Sequence, residues 1–142
     1  MNNSEEEKRI IIADDSVQIN VFLGEDPFAH GHLVIQPKNE AHDISELTKS
    51  NWDILALWIP RVTKAMKRAL KKVTGNQIEK IYLCSFNESE EHTVHFHLVP
   101  RYASDTLKGP TLLCENSAKK IAISPKMIKD IVNEMRKELA AY

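Results

Sequence analysis

From Thr93 to Tyr102 the chain reads TVHFHLVPRY, and this alternation constrains the fold more than any other stretch. Side chains on a strand point to opposite faces in turn. Val94, Phe96 and Leu98 therefore share one face, which is apolar and calls for helices packed over it. Thr93, His95, His97 and Val99 share the other. Two imidazoles thus lie side by side on a strand anchored from behind, a rigid mounting for reactive groups. His92, at the start of the strand, falls out of that register.

Further strands are legible around it. RIIIADDSVQINVFLGED reads as a hairpin, with Ile10–Ile12, a turn at Asp14, Asp15 and Ser16, and a second strand from Val17 to Leu23. Gln18, Asn20 and Phe22 alternate with Val17, Ile19, Val21 and Leu23, so this sheet has one wetter face. A turn around Pro27 and Gly31 leads into a short strand through Leu33, Val34 and Ile35. IEKIYLCSF reads as a buried neighbour of the histidine strand, joined to it by the polar turn NESEE.

Two segments carry helical spacing. The first holds Ile54, Leu57, Trp58, Val62, Ala65, Met66, Ala69, Leu70 and Val73, with Ser50 or Asn51 as cap and Gly75 as stop. Pro60 within it predicts a bend or a break into two helices. Lys64, Lys67, Arg68, Lys71 and Lys72 fall mostly off the apolar stripe, as a solvated face near the negative helix end. The second segment is capped by Ser124 and starts at Pro125, with Met127, Ile128, Ile131, Val132, Met135 and Leu139 on one side. Residues 103–120 show no clear pattern. The order of elements predicts an α+β domain over residues 10–142, a sheet with helices packed on one side, among them a long central helix and a C-terminal helix. Residues 1–9 are expected to form a flexible, solvated tail.

Composition excludes several function classes. With 142 residues and a net charge of -1, the chain fits one domain and has no general attraction for nucleic acid or membrane. No apolar run is long enough to span a bilayer, and the polar start is unlike a signal peptide. Cys84 and Cys114, far apart and outside any CxxC pair, read as reduced thiols of a cytoplasmic protein.

Three readings fit the paired histidines. They can be polar groups satisfied within the core. They can be metal ligands, with His32, His42 or Glu90 completing the set. Or one imidazole can attack phosphorus while its neighbour donates to a phosphate oxygen or the leaving group.

Two blocks bear on that choice. DPFAHGHLVIQPKNEAH resembles the Pro-x-x-x-Gly-His-x-Leu-Val-Ile-Pro-Lys-x-His stretch of the histidine triad (HIT) superfamily of nucleotide hydrolases and transferases. HTVHFHLVPR resembles that superfamily's alternating histidine signature followed by Pro-Arg. The resemblance implies hydrolysis or transfer at the α-phosphate of a dinucleoside polyphosphate or nucleoside phosphoramidate. It implies His95 as nucleophile, with His97 and His32 at the phosphate and Arg101 suited to the same anion. Thr93 stands where the first triad histidine is expected, a departure compatible with a nucleotide-binding sensor or adaptor of low turnover. NESEE replaces a longer phosphate-contacting loop, leaving Asn87 and Ser89 as substitutes. The acid that holds the ribose in relatives aligns near Gly24, with Asp26 close by. No metal site and no required cofactor are implied, although a divalent cation can accompany a polyphosphate. A nucleotide substrate and a homodimer are the implied partners.

Overall fold

A computed structural model describes residues 3–141. Five strands form one antiparallel sheet: β1 (Ile10–Asp14), β2 (Ile19–Leu23), β3 (Leu33–Pro37), β4 (Ile78–Cys84) and β5 (Phe96–Tyr102), in the order β1-β2-β3-β5-β4. The hairpin is present, with its corner a short 3-10 turn in which Asp14 Oδ1 accepts the Ser16 N–H at 2.9 Å. Where a flexible tail was expected, Asn3–Arg9 forms a helix, α1. Its last residue is tied down, Arg9 Nη1 donating to the Gly24 carbonyl at 3.0 Å.

The long helix α2 (Lys49–Thr74) is continuous through Pro60. Proline removes one intrahelical donor. Pro60 and Ala56, whose carbonyl loses that donor, both lie on the exposed side, where water can replace it. The cap is Thr48, two residues before Ser50 and three before Asn51. Its Oγ1 accepts the Asn51 N–H while Asn51 Oδ1 accepts the Thr48 N–H, a reciprocal capping box. Gly75 ends the helix with φ of 71°, the left-handed conformation a glycine adopts freely.

Residues 103–120 contain a further helix, α3 (Gly109–Lys119), and α4 (Pro125–Leu139) begins as the Ser124-Pro125 signature requires. Helices α2 and α4 pack together over one sheet face. There Val21, Leu33, Ile35, Phe96 and Leu98 meet Met66, Leu70, Ile131 and Met135 in a single buried cluster. Burying each such side chain is worth about 1.5–3 kcal/mol. The opposite face is open except where α3 lays Leu112 against Val99 and Ala29.

Candidate active site

The open face is ordered by strand register. Phe22, Val34, His97 and Cys84 lie in one row across β2, β3, β5 and β4. His95 lies just before β5, outside the ladder. Proline at position 37 ends β3 without a donor. Beyond it the 38–42 loop holds the chain instead: Val94 N–H donates to the Ala41 carbonyl at 2.9 Å, and Asn39 Nδ2 donates to the Val94 carbonyl at 3.1 Å. The alternation survives this change. Val94 and Phe96 are buried under α2, and the His95 and His97 rings share the open face with centroids 5.1 Å apart.

Hydrogen bonds fix what each ring presents. Phe28 N–H donates to His32 Nδ1 at 3.0 Å, so that nitrogen carries a lone pair. In a neutral ring the proton then sits on His32 Nε2, which lies 2.8 Å from His97 Nδ1. His97 must accept there and carries its own proton on Nε2. His95 is held in the opposite sense. Its Nδ1 is 2.9 Å from the Thr93 carbonyl, which can only accept, leaving Nε2 as the lone-pair nitrogen of the neutral ring.

Both supporting rings are kept neutral. Burial, with His97 as a lesser cause, pushes His32 down to about 3; burial and the neighbouring His95 take His97 down to about 4. The donor beside His95 is therefore a neutral imidazole N–H, not the protonated ring that the pairing of two histidines suggests.

This neutrality sets a pH dependence. The unfolded chain protonates His32 below pH 6.5, whereas the folded chain resists until about 3. The stabilisation is fully present above 6.5 and is lost as pH falls toward the folded value. For this ring the loss between the unfolded pKa and pH ~4.5 is about 2–3 kcal/mol. Urea unfolding at neutral pH and at pH ~4.5 should show the native protein losing about that much more stability than His32→Gln. Equal losses would remove His32 as the cause.

Thr93 supports the site through its backbone. Its carbonyl holds His95, and its Oγ1 accepts from Gln36 Nε2 at 2.8 Å. The carbonyl would be there with any side chain, so the replaced histidine leaves His95 anchored. Behind His95, Ser85 Oγ donates to the His95 carbonyl at 2.7 Å, and Asn87 Nδ2 donates to Ser85 Oγ at 2.9 Å. Asn87 thus joins the site through Ser85, and its Oδ1 is buried with no partner among the described residues.

Three candidates lie elsewhere. Ser89 is exposed and closes a turn, its Oγ accepting the Glu91 N–H at 3.1 Å and its carbonyl the His92 N–H. Arg101 is on the open face, but four residues along β5 from His97, about 13 Å away. There its guanidinium is engaged by Glu79 and the Tyr82 hydroxyl, each at 3.3 Å. Asp26 lines a cleft with Ser117 and Lys120, apart from the histidines. At position 24 a Cβ would meet the His32 ring at 3.2 Å, a tight contact that an acid there would have to relieve.

Several site residues had no advance signal. Phe28 stacks on His32, centroids 5.3 Å apart and planes within 13°, and Phe86 lies 6.1 Å from the His97 ring. Gln36 was readable, as a polar residue on the open face of an apolar strand. Phe22, Ile10, Ile12 and Asn20 line a cleft of about 310 Å³, together with Arg9, Glu6 and Glu25. Among the described residues no group of three His, Cys, Asp or Glu side chains is placed to hold a metal ion.

An antiparallel sheet with helices on one face and convergent histidines on the other is a histidine-triad arrangement. The HIT domain pattern matches residues 3–104, and the chain belongs to the HIT domain family. No curated protein matches the chain in sequence. Solved structures share the fold. A hypothetical histidine triad nucleotide-binding protein from Sulfolobus tokodaii superposes with a TM-score of 0.65 at 15% identity, over 94% of this chain and 84% of its own. A histidine triad protein from Bradyrhizobium japonicum gives 0.63 at 19%, over 98% and 96%. The diadenosine triphosphate hydrolase of Plasmodium falciparum gives 0.51 at 13%, over 92% and 80%.

Proposed function

We propose that this protein hydrolyses or transfers at the α-phosphorus of a nucleotide derivative through a nucleotidyl-His95 intermediate. The observation that carries the proposal is the pair of fixed tautomers. His95 offers a lone pair at Nε2, and next to it His97 offers an N–H held in place by the Phe28–His32 relay.

The row from Phe22 to His97 suggests how a substrate lies. The two residues are two strands apart, roughly 10 Å, a distance bridged by a base and its sugar. A base in the Phe22 cleft would put the sugar above Val34 and the α-phosphate at the histidines. His95 Nε2 forms the N–P bond as the P–O or P–N bond to the leaving group breaks. The His97 N–H is placed to donate to a phosphate oxygen, where charge develops. Water or another acceptor then attacks phosphorus, the N–P bond breaks, and the ring regains its lone pair.

Dinucleoside polyphosphates and nucleoside phosphoramidates are the substrate classes for this chemistry. The polyphosphates can bring a divalent cation as their own counter-ion. The same reading includes a cytoplasmic homodimer. The test offers a fluorogenic adenosine phosphoramidate and a diadenosine polyphosphate to the purified protein. Turnover of either supports the reading, whereas tight binding without product makes the protein a nucleotide sensor or adaptor. Phe22→Ala should raise KM by about 10-fold through lost base contact, with kcat changed far less. An unchanged KM would move the base out of that cleft.

A further inference from the structure

Helix α3 lies beyond the residues that match the family pattern, yet it reaches the histidine loop. Leu112, almost fully buried, seats the helix on Val99 of β5 and on Ala29, the residue after Phe28. Gly109 N–H donates to the Tyr82 hydroxyl at 2.8 Å, fixing its start. From this seat Asn116 Nδ2 donates to the Phe28 carbonyl at 2.6 Å.

Phe28 is the residue whose N–H assigns the His32 tautomer and whose ring stacks on the same imidazole. Holding its carbonyl restrains ψ of Phe28 and so limits how far the residue can turn its N–H away from His32. Pro27 limits the chain on the other side, since a proline has a fixed φ and no donor of its own.

We propose that Asn116 is a positioning residue for the histidine pair: through Phe28 and His32 it keeps the proton of His97 on Nε2. The chain runs from Asn116 Nδ2 to the Phe28 carbonyl, from the Phe28 N–H to His32 Nδ1, and from His32 Nε2 to His97 Nδ1. Asn116 touches no reacting atom. Without it Phe28 can rotate, His32 can exchange its two neutral tautomers, and His97 follows, since each tautomer of His32 leaves one tautomer of His97 that completes their shared bond. The consequence for turnover rests on the function proposed above. The ring states do not, because they are set without substrate.

The test is nitrogen-15 NMR of the histidine rings at neutral pH, without ligand, in the native protein, Asn116→Ala and Asn116→Asp. The aspartate keeps the size of the side chain and removes its donor. In the native protein His32 and His97 should each show one protonated and one bare nitrogen, with the proton on Nε2. Both variants should move these signals toward averaged values, with the amide signals of α3 still helical in Asn116→Asp. His95 should keep its own pattern, because Thr93 holds it. Turnover, once a substrate is in hand, should fall about 10-fold in kcat with KM nearly unchanged. Unchanged ring signals in both variants overturn the proposal. So does averaging seen only where α3 has lost its helical signals, since that makes the helix and not the amide the agent.

Discussion

His95→Ala should abolish turnover, by at least about 10⁴-fold, while nucleotide binding changes only a few-fold. The substitution removes the imidazole that turns a lone pair at Nε2 toward the open face beside His97, and neither His97 nor His32 can replace it. His97 carries its proton on Nε2 and its lone pair toward His32; His32 is nearly fully buried, with both nitrogens engaged. The fold should be untouched, because Val94 and Phe96 hold the segment from the core side and Ser85 holds its carbonyl. Thr93→Ala makes the contrast. It deletes the hydroxyl that meets Gln36 and leaves the carbonyl that orients His95, so kcat should fall by no more than about 10-fold. If Thr93→Ala proved as damaging as His95→Ala, the backbone account of the missing triad histidine would fail. Steady-state rates with a fluorogenic phosphoramidate measure both.

Gly31→Ala should be the most destabilising single-methyl addition in the site. Gly31 has φ of 83°, where an L-residue is strained. A Cβ there would lie 2.4 Å and 2.8 Å from the two methyl carbons of Leu70, on a helix residue that is fully buried and has nowhere to swing. Backbone strain of about 1–2 kcal/mol and overpacking of about 1–3 kcal/mol act together. The expected loss is about 2–5 kcal/mol in urea unfolding. Because His32 follows directly, the loop that sets its tautomer should loosen as well. A loss below ~1 kcal/mol would mean that Leu70 repacks and that the turn is not held against α2.

How much of this was legible follows from what each element depends on. The histidine strand, the hairpin and the C-terminal helix are periodic over their length, so burial wrote itself into the sequence. Helix α3 was not legible because one side chain, Leu112, supplies its buried contact, and Lys108 at its cap makes no side-chain bond. Pro60 does not break the helix, because its cost depends on whether the deprived carbonyl faces solvent, which only the packed helix shows. His95, His97 and His32 were readable as side chains, and the structure brings them together. What orients them was not, because the Thr93 carbonyl and the Phe28 N–H are backbone groups that every residue has. Asp26, Ser89 and Arg101 have side chains suited to a nucleotide, but Asp26 lines a neighbouring cleft, Ser89 closes a turn and Arg101 meets Glu79.

The most direct test of the central claim is the intact mass of His97→Ala after mixing with an adenosine phosphoramidate. Without the His97 N–H the second half-reaction should lag behind the first, and the protein should gain the mass of one nucleotidyl group, carried on His95 and absent from the double variant lacking both histidines. Turnover by the native protein with no adduct in the variant, or an adduct that survives the loss of His95, would contradict a covalent bond between that imidazole and phosphorus.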